Sequence, residues 1–309
     1  MTIIEKITEK ESLCKRFLGL TPNQIEVLLA RLEPHWLASE KRLLERADRV
    51  RSIGGGRKYQ PGAFKTMLTT CLLYYKLYLT QEFIGIILGA DQSTVSRYVS
   101  RLAGLIAVAA DPELETFFQR AGGLKKQRVR NFVELQQVCP ELADVITDAT
   151  ETPCNRPKDE VDQKKFYSGK QKTHTIKTQI TINSYKRIIN VSDAYPGSVH
   201  DKAVLDREET IKKIPQKARH TLDKGYCGVD KEHPASNILI PFRRNRGQQK
   251  LSPMTKATNR YLSKVRMPVE HVIGKIKNFK ICAIYRGRRD RFNKVFRDVA
   301  ALYNFVNFA

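Results

Sequence analysis

The sequence has no long apolar run, which limits where the protein can act. No stretch reaches the roughly 18 apolar residues that a membrane-spanning helix needs, and neither end carries a basic amphipathic helix. The first residues, MTIIEKITEKESLCKRF, lack the apolar core and small-residue cleavage site of a signal peptide. We therefore expect no membrane partner and an intracellular protein, cytoplasmic and nucleoid-associated in a bacterium or nuclear in a eukaryote.

Cysteine pairs are also absent. The chain has 6 cysteines, none of them in a C-x-x-C pair, and they are widely spaced: Cys14, Cys71, Cys139, Cys154, Cys227 and Cys282. Neither a structural zinc site nor a disulfide framework is predicted from this spacing. Reduced and mostly buried thiols are expected instead.

Acidic residues are scarce relative to basic ones. The 309 residues include 55 Lys and Arg against 32 Asp and Glu, which gives a formal net charge of +23. An excess of this size predicts a polyanionic partner, and the lack of a membrane-binding segment favours nucleic acid, in particular double-stranded DNA. The length is typical of about two domains.

A helix-turn-helix pattern lies in residues 81–102, QEFIGIILGADQSTVSRYVSRL. Gly85 allows two helices to cross closely, Gly89 allows a tight turn, and Val95 would pack the second helix on the first. Asp91 would cap that second helix. Its outward face is polar and suits the major groove of DNA, and we predict DNA contacts from Gln92, Ser93, Thr94, Ser96, Arg97 and Arg101. An ordinary helical hairpin is the alternative.

Helices are predicted on both sides of this pattern. Thr21 should cap a helix, with Pro22 at its first position and Gln24 completing a capping box. A triple glycine at 54–56 is typical of a flexible joint. The basic residues Lys125, Lys126, Arg128 and Arg130 belong to a connector. The predicted division is an N-terminal helical region, 1–56, and a helix-turn-helix DNA-binding domain, 57–130.

After Pro140 the pattern changes to short strands. Residues 144–148 are expected to form a strand followed by a loop, and 173–182 with 187–191 a hairpin. A helix is expected at about 200–213, strands at 220–223 and 237–240, and helix again from Pro253. This order is typical of an α/β domain with a mixed sheet and helices on its faces, and we assign it to residues 140–309.

Three carboxylates stand out within this domain. Asp148 and Asp223 each end a short apolar run, and Glu270 lies in RMPVEHVIGKIK. On a helix, Arg266, Glu270 and Lys277 fall within about 40° of one another. The alternative is a surface helix with an ordinary Arg–Glu pair. Pro268 requires the helix either to start or to kink near it.

Carboxylates from three elements would suit divalent metal ions. Their hard oxygens match Mg²⁺, and two such ions can activate a water or a 3′-hydroxyl for in-line attack on a phosphodiester. Asp148 would bridge the ions, while Arg266 and Lys277 would hold the DNA strand. Asp201 is a further candidate ligand, against a simple role at a helix N-terminus. Arg288 and Arg289, in the basic run RGRRDR, are candidate DNA contacts.

Four segments together resemble the DDE transposases of the IS-five type and their PIF/Harbinger relatives. They are TDAT with Asp148, the PGSVHD segment from Pro196, the LDKGY segment with Asp223, and Arg266-x-x-x-Glu270 with Lys277 beyond it. The resemblance implies an RNase H-like mixed sheet flanked by helices, preceded by an all-α helix-turn-helix region. It also implies that Asp148, Asp223 and Glu270 are both the catalytic triad and the metal ligands.

The implied function is that of an insertion-sequence transposase. Such an enzyme uses two Mg²⁺ ions, which Mn²⁺ should replace, to cleave DNA at the terminal inverted repeats of its element and to transfer the strand to target DNA. Pairing two ends implies a homodimer or larger assembly. One departure is Ser263, where related enzymes carry a tyrosine. The alternatives are a catalytically inactive DNA-binding repressor and an RNase H-fold nuclease that cuts without joining.

Overall fold

The computed structural model describes residues 3–45, 63–114, 116–117, 129–244 and 250–308. The predicted joint at 54–56 and the basic residues Lys125, Lys126 and Arg128 lie outside these ranges. None of the helices in the described ranges is long and apolar enough to cross a membrane. All six cysteines are free; Cys14, Cys71 and Cys282 are buried and the other three are half-buried.

The helices and strands of the described residues follow in chain order. The helices are α1 (Ile3–Glu9), α2 (Glu11–Phe17), α3 (Pro22–Leu44), α4 (Ala63–Leu77), α5 (Gln81–Leu88), α6 (Gln92–Leu102), α7 (Leu105–Ala110), α8 (Phe132–Val138), α9 (Pro140–Ala143), α10 (Glu160–Phe166), α11 (Asp201–Arg207), α12 (Thr210–Lys213), α13 (Val229–Glu232), α14 (Pro253–Lys277), α15 (Lys280–Ala283) and α16 (Phe292–Phe308). The strands are β1 (Asp144–Pro153), β2 (Tyr167–Ser168), β3 (Thr173–Asn183), β4 (Ile188–Val191), β5 (Tyr195–Pro196), β6 (Arg219–Thr221) and β7 (Asn237–Leu239).

The chain forms two compact units. The helical unit comprises Met1–Pro112, Ile276–Ala283 and Lys294–Ala309, and the sheet unit comprises Glu113–Lys275 and Ile284–Asn293. This division differs from the predicted boundaries, because residues 276–283 and 294–309 were expected in the 140–309 domain. The physical reason is the apolar face of α16, which is buried with the N-terminal helices, together with the hydrogen bonds that the backbone N–H groups of Gly104 and Ala107 donate to its Asp298 carboxylate.

Local sequence signals explain the start and the turn of two helices in the helical unit. Thr21 and Gln24 form the predicted capping box at the start of α3. Helix α5 ends at Gly89, which has φ of 61° and so occupies the left-handed region that favours glycine. A Cβ on Gly85 would lie 2.4 Å from the Ala90 carbonyl oxygen. Both glycines are therefore required by the turn between α5 and α6, as predicted.

The sheet unit is built on one mixed sheet in the order β2-β3-β1-β6-β7, with β4 and β5 also paired to β3. Strand β3 is antiparallel to β1, whereas β6 is parallel to β1 and β7 is parallel to β6. Together with the flanking helices, this confirms the predicted mixed α/β, RNase H-like class.

Two details of the sheet unit differ from the prediction. Strand β1 continues past Asp148 to Pro153, because its polar side chains are buried against β3 instead of facing solvent as in a loop. The helix expected at 200–213 is interrupted at Glu209, which has φ of 50°. Helix α14 begins at Pro253 as predicted, so Pro268 lies inside it and does not start it.

Candidate active site

The three predicted carboxylates come together in the sheet unit. The parallel pairing of β1 with β6 aligns Ile146 with Thr221, so Asp148 and Asp223, each two residues further on, are level with one another. Asp223 precedes a single 3-10 turn, Lys224–Tyr226, and Glu270 projects from α14. The middle of β1, the end of β6 and one helix therefore position the acids.

Arg266 lies between these carboxylates. Its guanidinium is paired with Asp223 Oδ1, lies 2.7 Å from Glu270 Oε1, and lies 3.8 Å from Asp148 Oδ2. The Arg266 side chain is 14% exposed, while that of Glu270 is 53% exposed. One cation thus offsets the repulsion among three acids that face a partly open site.

The electrostatic cost of this arrangement shows at Asp148. The pKa of Asp148 is raised to about 6, mainly by burial and to a smaller extent by the negative charges of Asp223 and Asp201, while Arg266 and the Ala149 N–H group act to lower it. The Ala149 N–H donates to Asp148 Oδ1 at 2.9 Å. An additional positive charge at this place would favour the ionised carboxylate.

The carboxylates of Asp148, Asp223 and Glu270 are chemically suited to a divalent metal ion, since their oxygens are hard ligands. Within the described ranges, however, no group of three or more His, Cys, Asp or Glu side chains is arranged as a metal site. The reason is visible in the contacts, because the carboxylates are oriented towards the Arg266 guanidinium. Arg266, predicted as a DNA contact, is here the cation that the acids share.

Asp201, the further candidate ligand, is engaged by a lysine. Lys177 Nζ lies 2.6 Å from Asp201 Oδ1 and 3.5 Å from Glu151 Oε1, and it donates to the Val199 carbonyl oxygen at 2.6 Å. The Lys177 side chain is only 7% exposed. This buried ion pair gives Asp201 a structural partner, and a role for Asp201 as a metal ligand stays a prediction.

Lys177 belongs to a row of buried polar residues that sequence reasoning missed. Alternate residues of β3 share one face of the sheet, and on this face they are all polar: Thr175, Lys177, Gln179 and Thr181. The sequence signal that could have found them is a predicted strand with a polar residue at every second position, as in THTIKTQITI.

These polar side chains brace the segments that carry the acids. Tyr226 donates its hydroxyl to Gln179 Oε1 at 3.2 Å, which fixes the turn after Asp223. Thr147 is within 2.8 Å of both Thr181 Oγ1 and His220 Nε2. Burial lowers the pKa of His220 to about 3, so His220 is neutral and links β1 to β6.

Glycines in the LDKGY and PGSVHD segments allow close packing beside Asp201 and Thr175. A Cβ on Gly225 would lie 3.1 Å from Asp201 Oδ2. A Cβ on Gly197 would lie 2.0 Å from Thr175 Oγ1, because the Gly197 N–H donates to the Thr175 carbonyl oxygen at 2.9 Å. The glycines of the LDKGY and PGSVHD segments are therefore explained by packing.

The predicted recognition helix, α6, has the expected apolar and polar faces. Val95, Val99 and Leu102 are buried, while Gln92, Ser93 and Arg97 are exposed and Thr94, Ser96 and Arg101 are half-buried. Arg101 is paired with Glu40 at 3.4 Å. Asp91 occupies the N-cap position, but its side chain makes no capping hydrogen bond, contrary to the prediction.

The remaining predicted DNA contacts are engaged to different degrees. Lys277 is half-buried at the end of α14. Arg288 pairs with Asp290 at 2.8 Å, and both side chains are largely exposed. Arg289 pairs with Asp162 at 2.9 Å and stacks 4.6 Å above the Phe166 ring. Arg289 thus holds helix α10 in place, and contacts of all three residues with DNA stay predictions.

Comparison with known protein families identifies the family of the chain that carries these three acids. A family model described as the DDE superfamily endonuclease matches residues 147–304, slightly more than half of the 309-residue chain. The chain belongs to the DDE superfamily endonucleases. A second model, the helix-turn-helix of DDE superfamily endonuclease, matches residues 64–112 and confirms the helix-turn-helix prediction. The finer assignment of this endonuclease to the IS-five type stays a prediction.

Two curated proteins are similar to this DDE endonuclease over most of their length. One, from Microchaete diplosiphon, is named as a transposase for insertion sequence element IS702; it is 30% identical over 75% of this chain and 76% of its own. The other, from Streptomyces albus G, is named as a transposase for insertion sequence element IS112; it is 23% identical over 93% of this chain and 92% of its own.

Among solved structures, a pre-cleavage Mos1 transpososome aligns with 94% of this chain and 100% of its own. The sequence identity is 11% and the TM-score is 0.18. A score this low does not establish a common fold.

Proposed function

We propose that this chain is the transposase of an insertion sequence, which cuts DNA at the ends of its element and joins the freed 3′-hydroxyl to target DNA. The observation that carries the proposal is the convergence of Asp148, Asp223 and Glu270 on one guanidinium. The family match and the names of the two relatives support it. DNA recognition would fall to residues within 57–130 and the chemistry to residues within 140–309.

In the proposed reaction the three carboxylates would hold two divalent metal ions, Mg²⁺ or Mn²⁺, which would supply activation of the attacking water or 3′-hydroxyl and stabilisation of the leaving oxygen. Asp148, level with Asp223 and half-buried, is the best placed to be shared. Arg266 keeps the acids ordered before DNA arrives, and its guanidinium can then turn to a phosphate of the bound strand.

DNA binding in this proposal uses both units. The exposed face of α6 enters the major groove at the terminal repeats, with Gln92, Ser93 and Arg97 nearest the base edges. Lys277, Arg288 and Arg289 add contacts to the phosphate backbone. Because two ends must be held together for joining, the active form on DNA is a homodimer or larger.

The test is Mg²⁺-dependent nicking and joining on a duplex that carries the repeats flanking the gene. Asp223→Asn and Glu270→Gln should bind the duplex as the wild type does while losing at least about 10³-fold in both reactions, as expected for loss of preorganised charge stabilisation. Asp230→Asn is the matched control, because Asp230 is an exposed acid close to Asp223 in the chain.

The alternative functions predict different results. A repressor would bind the duplex in all forms and cut with neither Mg²⁺ nor Mn²⁺. A nuclease of the same fold would nick the duplex without producing joined strands. Either result would overturn the transposase proposal, and full activity in Glu270→Gln would overturn the site.

A further inference from the structure

A cleft lies in the sheet unit, lined by residues other than the three acids. Its volume is about 480 Å³, and it is lined by Arg156, Gln163, Lys164, Tyr167 and His174. Clefts of about 300–1,000 Å³ are the usual size for small organic ligands. None of these five lining residues is acidic.

The positive charge in the cleft is oriented and not neutralised by its neighbours. Arg156 donates from Nε and Nη2 to Gln163 Oε1, at 3.0 and 2.7 Å. Gln163 is neutral, so this contact orients the guanidinium without cancelling its charge. Lys164 is exposed and makes no ion pair within the described part of the chain. Two cations are thus available to an anion.

The other side of the cleft is aromatic. Tyr167 and His174 are cross-strand partners in the β2–β3 pair, with ring centroids 5.7 Å apart and planes at 73°. The rings meet edge to face and therefore form a corner. Tyr167 is 43% exposed, which leaves ring surface for a flat partner to stack on.

The wall between these two sides is fixed. Helix α10, which carries Gln163 and Lys164, is capped by Asp159, whose side chain accepts from the Asp162 N–H at 2.9 Å. Arg289 anchors the same helix through Asp162 and the Phe166 ring. The cleft is therefore organised before any ligand binds.

We propose that this cleft holds one unpaired nucleotide of the bound DNA, with its base against Tyr167 and His174 and its phosphate on Arg156 and Lys164. A planar ring system joined to a phosphate matches an aromatic corner joined to two cations. The inference rests on the proposed function, since it takes the ligand to be the DNA on which the enzyme acts.

The sheet gives the distance between this cleft and Asp148. Asp148 stands opposite Ile180 on β3, and His174 precedes Ile180 by six residues. Six residues of strand span about 20 Å, which equals about six base pairs at 3.4 Å each. The proposal places the bound duplex along β3, so the unpaired nucleotide should lie about five to seven positions from the cleaved phosphodiester.

A mismatch scan tests the proposal by binding alone. The full chain carrying Asp223→Asn, which leaves the substrate uncut, is titrated with duplexes that have a single mismatch at each successive position. A mismatch removes the pairing that must otherwise be broken. We expect about tenfold tighter binding at one or two positions within the stated window and no change elsewhere.

Substitutions in the cleft identify where this gain arises. Tyr167→Ala should abolish the tighter binding to the mismatched duplex, whereas Tyr167→Phe should keep it because stacking remains. Tyr185→Ala is the control, since Tyr185 is 62% exposed at the β3–β4 turn and should leave the gain intact. Arg156→Gln and Lys164→Gln should each reduce the salt slope of binding by about one.

The outcomes separate the cleft from the overall function. A flat scan, or the same gain in Tyr167→Ala, overturns the cleft while normal cutting by the wild type leaves the transposase proposal standing. A third outcome is that a free nucleoside monophosphate binds at the cleft while the protein shows no preference for the mismatched duplex. That outcome overturns the proposal that the cleft holds a nucleotide of the DNA, in favour of a free nucleotide. Failure to bind any duplex overturns both proposals.

Discussion

Each unit contains a carboxylate whose pKa is raised by burial, and the two carboxylates have different kinds of partner. In the helical unit, burial raises the pKa of Asp298 to about 7. In the sheet unit, burial raises the pKa of Asp148 to about 6. A raised pKa by itself therefore does not mark a functional site in this protein.

The partners of the two acids make the difference. Asp298 is fully buried and accepts from the Gly104 and Ala107 N–H groups and from the Tyr75 hydroxyl, at 2.8 to 3.1 Å. Asp148 shares a single side-chain cation with two other acids, and Glu270 among them is 53% exposed. Backbone donors cannot leave their acceptor, whereas an arginine side chain can be exchanged for another cation.

The largest expected effect is a loss of stability when Asp298, the acid held by backbone donors, is removed. Asp298→Ala leaves two backbone N–H groups and the Tyr75 hydroxyl without their partner, and should lower the free energy of unfolding by about 3–5 kcal/mol. Urea denaturation measures it. Asp290→Ala, at an exposed acid, is the control and should cost less than about 0.5 kcal/mol. A loss below about 1 kcal/mol for Asp298→Ala would show that the acid is dispensable.

The second prediction concerns pH. The pKa of Asp298 rises from an ordinary 3.8 to about 7 in the folded protein, so the folded state binds this proton more tightly than the unfolded state. Its contribution to stability is present at low pH and is lost as pH rises from about 4 through 7, by up to about 4 kcal/mol.

Asp298→Asn isolates this contribution, because asparagine keeps the shape and does not ionise. Urea denaturation at pH 5 and pH 8 should show a smaller loss of stability with pH in the variant than in the wild type. Equal pH dependence in both proteins would mean that Asp298 does not titrate in this range.

A smaller loss of stability is expected when Arg266, the cation that the three acids share, is removed. Arg266→Gln leaves three acids to repel one another, but Asp223 and Glu270 are 36% and 53% exposed, so solvent screens the loss to about 1–2 kcal/mol. Added Mg²⁺ at about 10 mM should raise the melting temperature of Arg266→Gln more than that of the wild type. No difference in the Mg²⁺ response would argue against competition between Arg266 and metal.

The smallest expected changes in stability are those for two arginines of helix α6, which should differ in their effect on DNA binding. Arg97 is exposed, whereas Arg101 is paired with Glu40. Arg97→Ala should weaken duplex binding about tenfold and leave the unfolding free energy unchanged. Arg101→Ala should lower that free energy by less than about 1 kcal/mol. Equal loss of DNA affinity in both variants would place Arg101 in the groove beside Arg97.

The local features of the fold were predictable because they depend on neighbours in the chain. The capping box at Thr21, the turn glycines Gly85 and Gly89, and the hairpin between β3 and β4 follow from turn chemistry and side-chain periodicity. The length of β1 was not, because a run of polar residues is typical of a loop unless another strand satisfies it. Strand β3 does so, with Thr175 donating to Glu151 Oε2 at 2.8 Å.

The sequence by itself determined the two classes of element, the helix-turn-helix, and the three acids that share one site, since the ends of apolar runs and the faces of helices are short-range patterns. Only the tertiary structure decided which cation those acids share, that Lys177 holds Asp201, and that α16 packs with the N-terminal helices. The Lys177–Asp201 ion pair joins residues 24 positions apart, and the Tyr75–Asp298 hydrogen bond, which ties α16 to α4, joins residues 223 positions apart. No local pattern specifies such partners, because their choice depends on which surfaces the folded chain brings together.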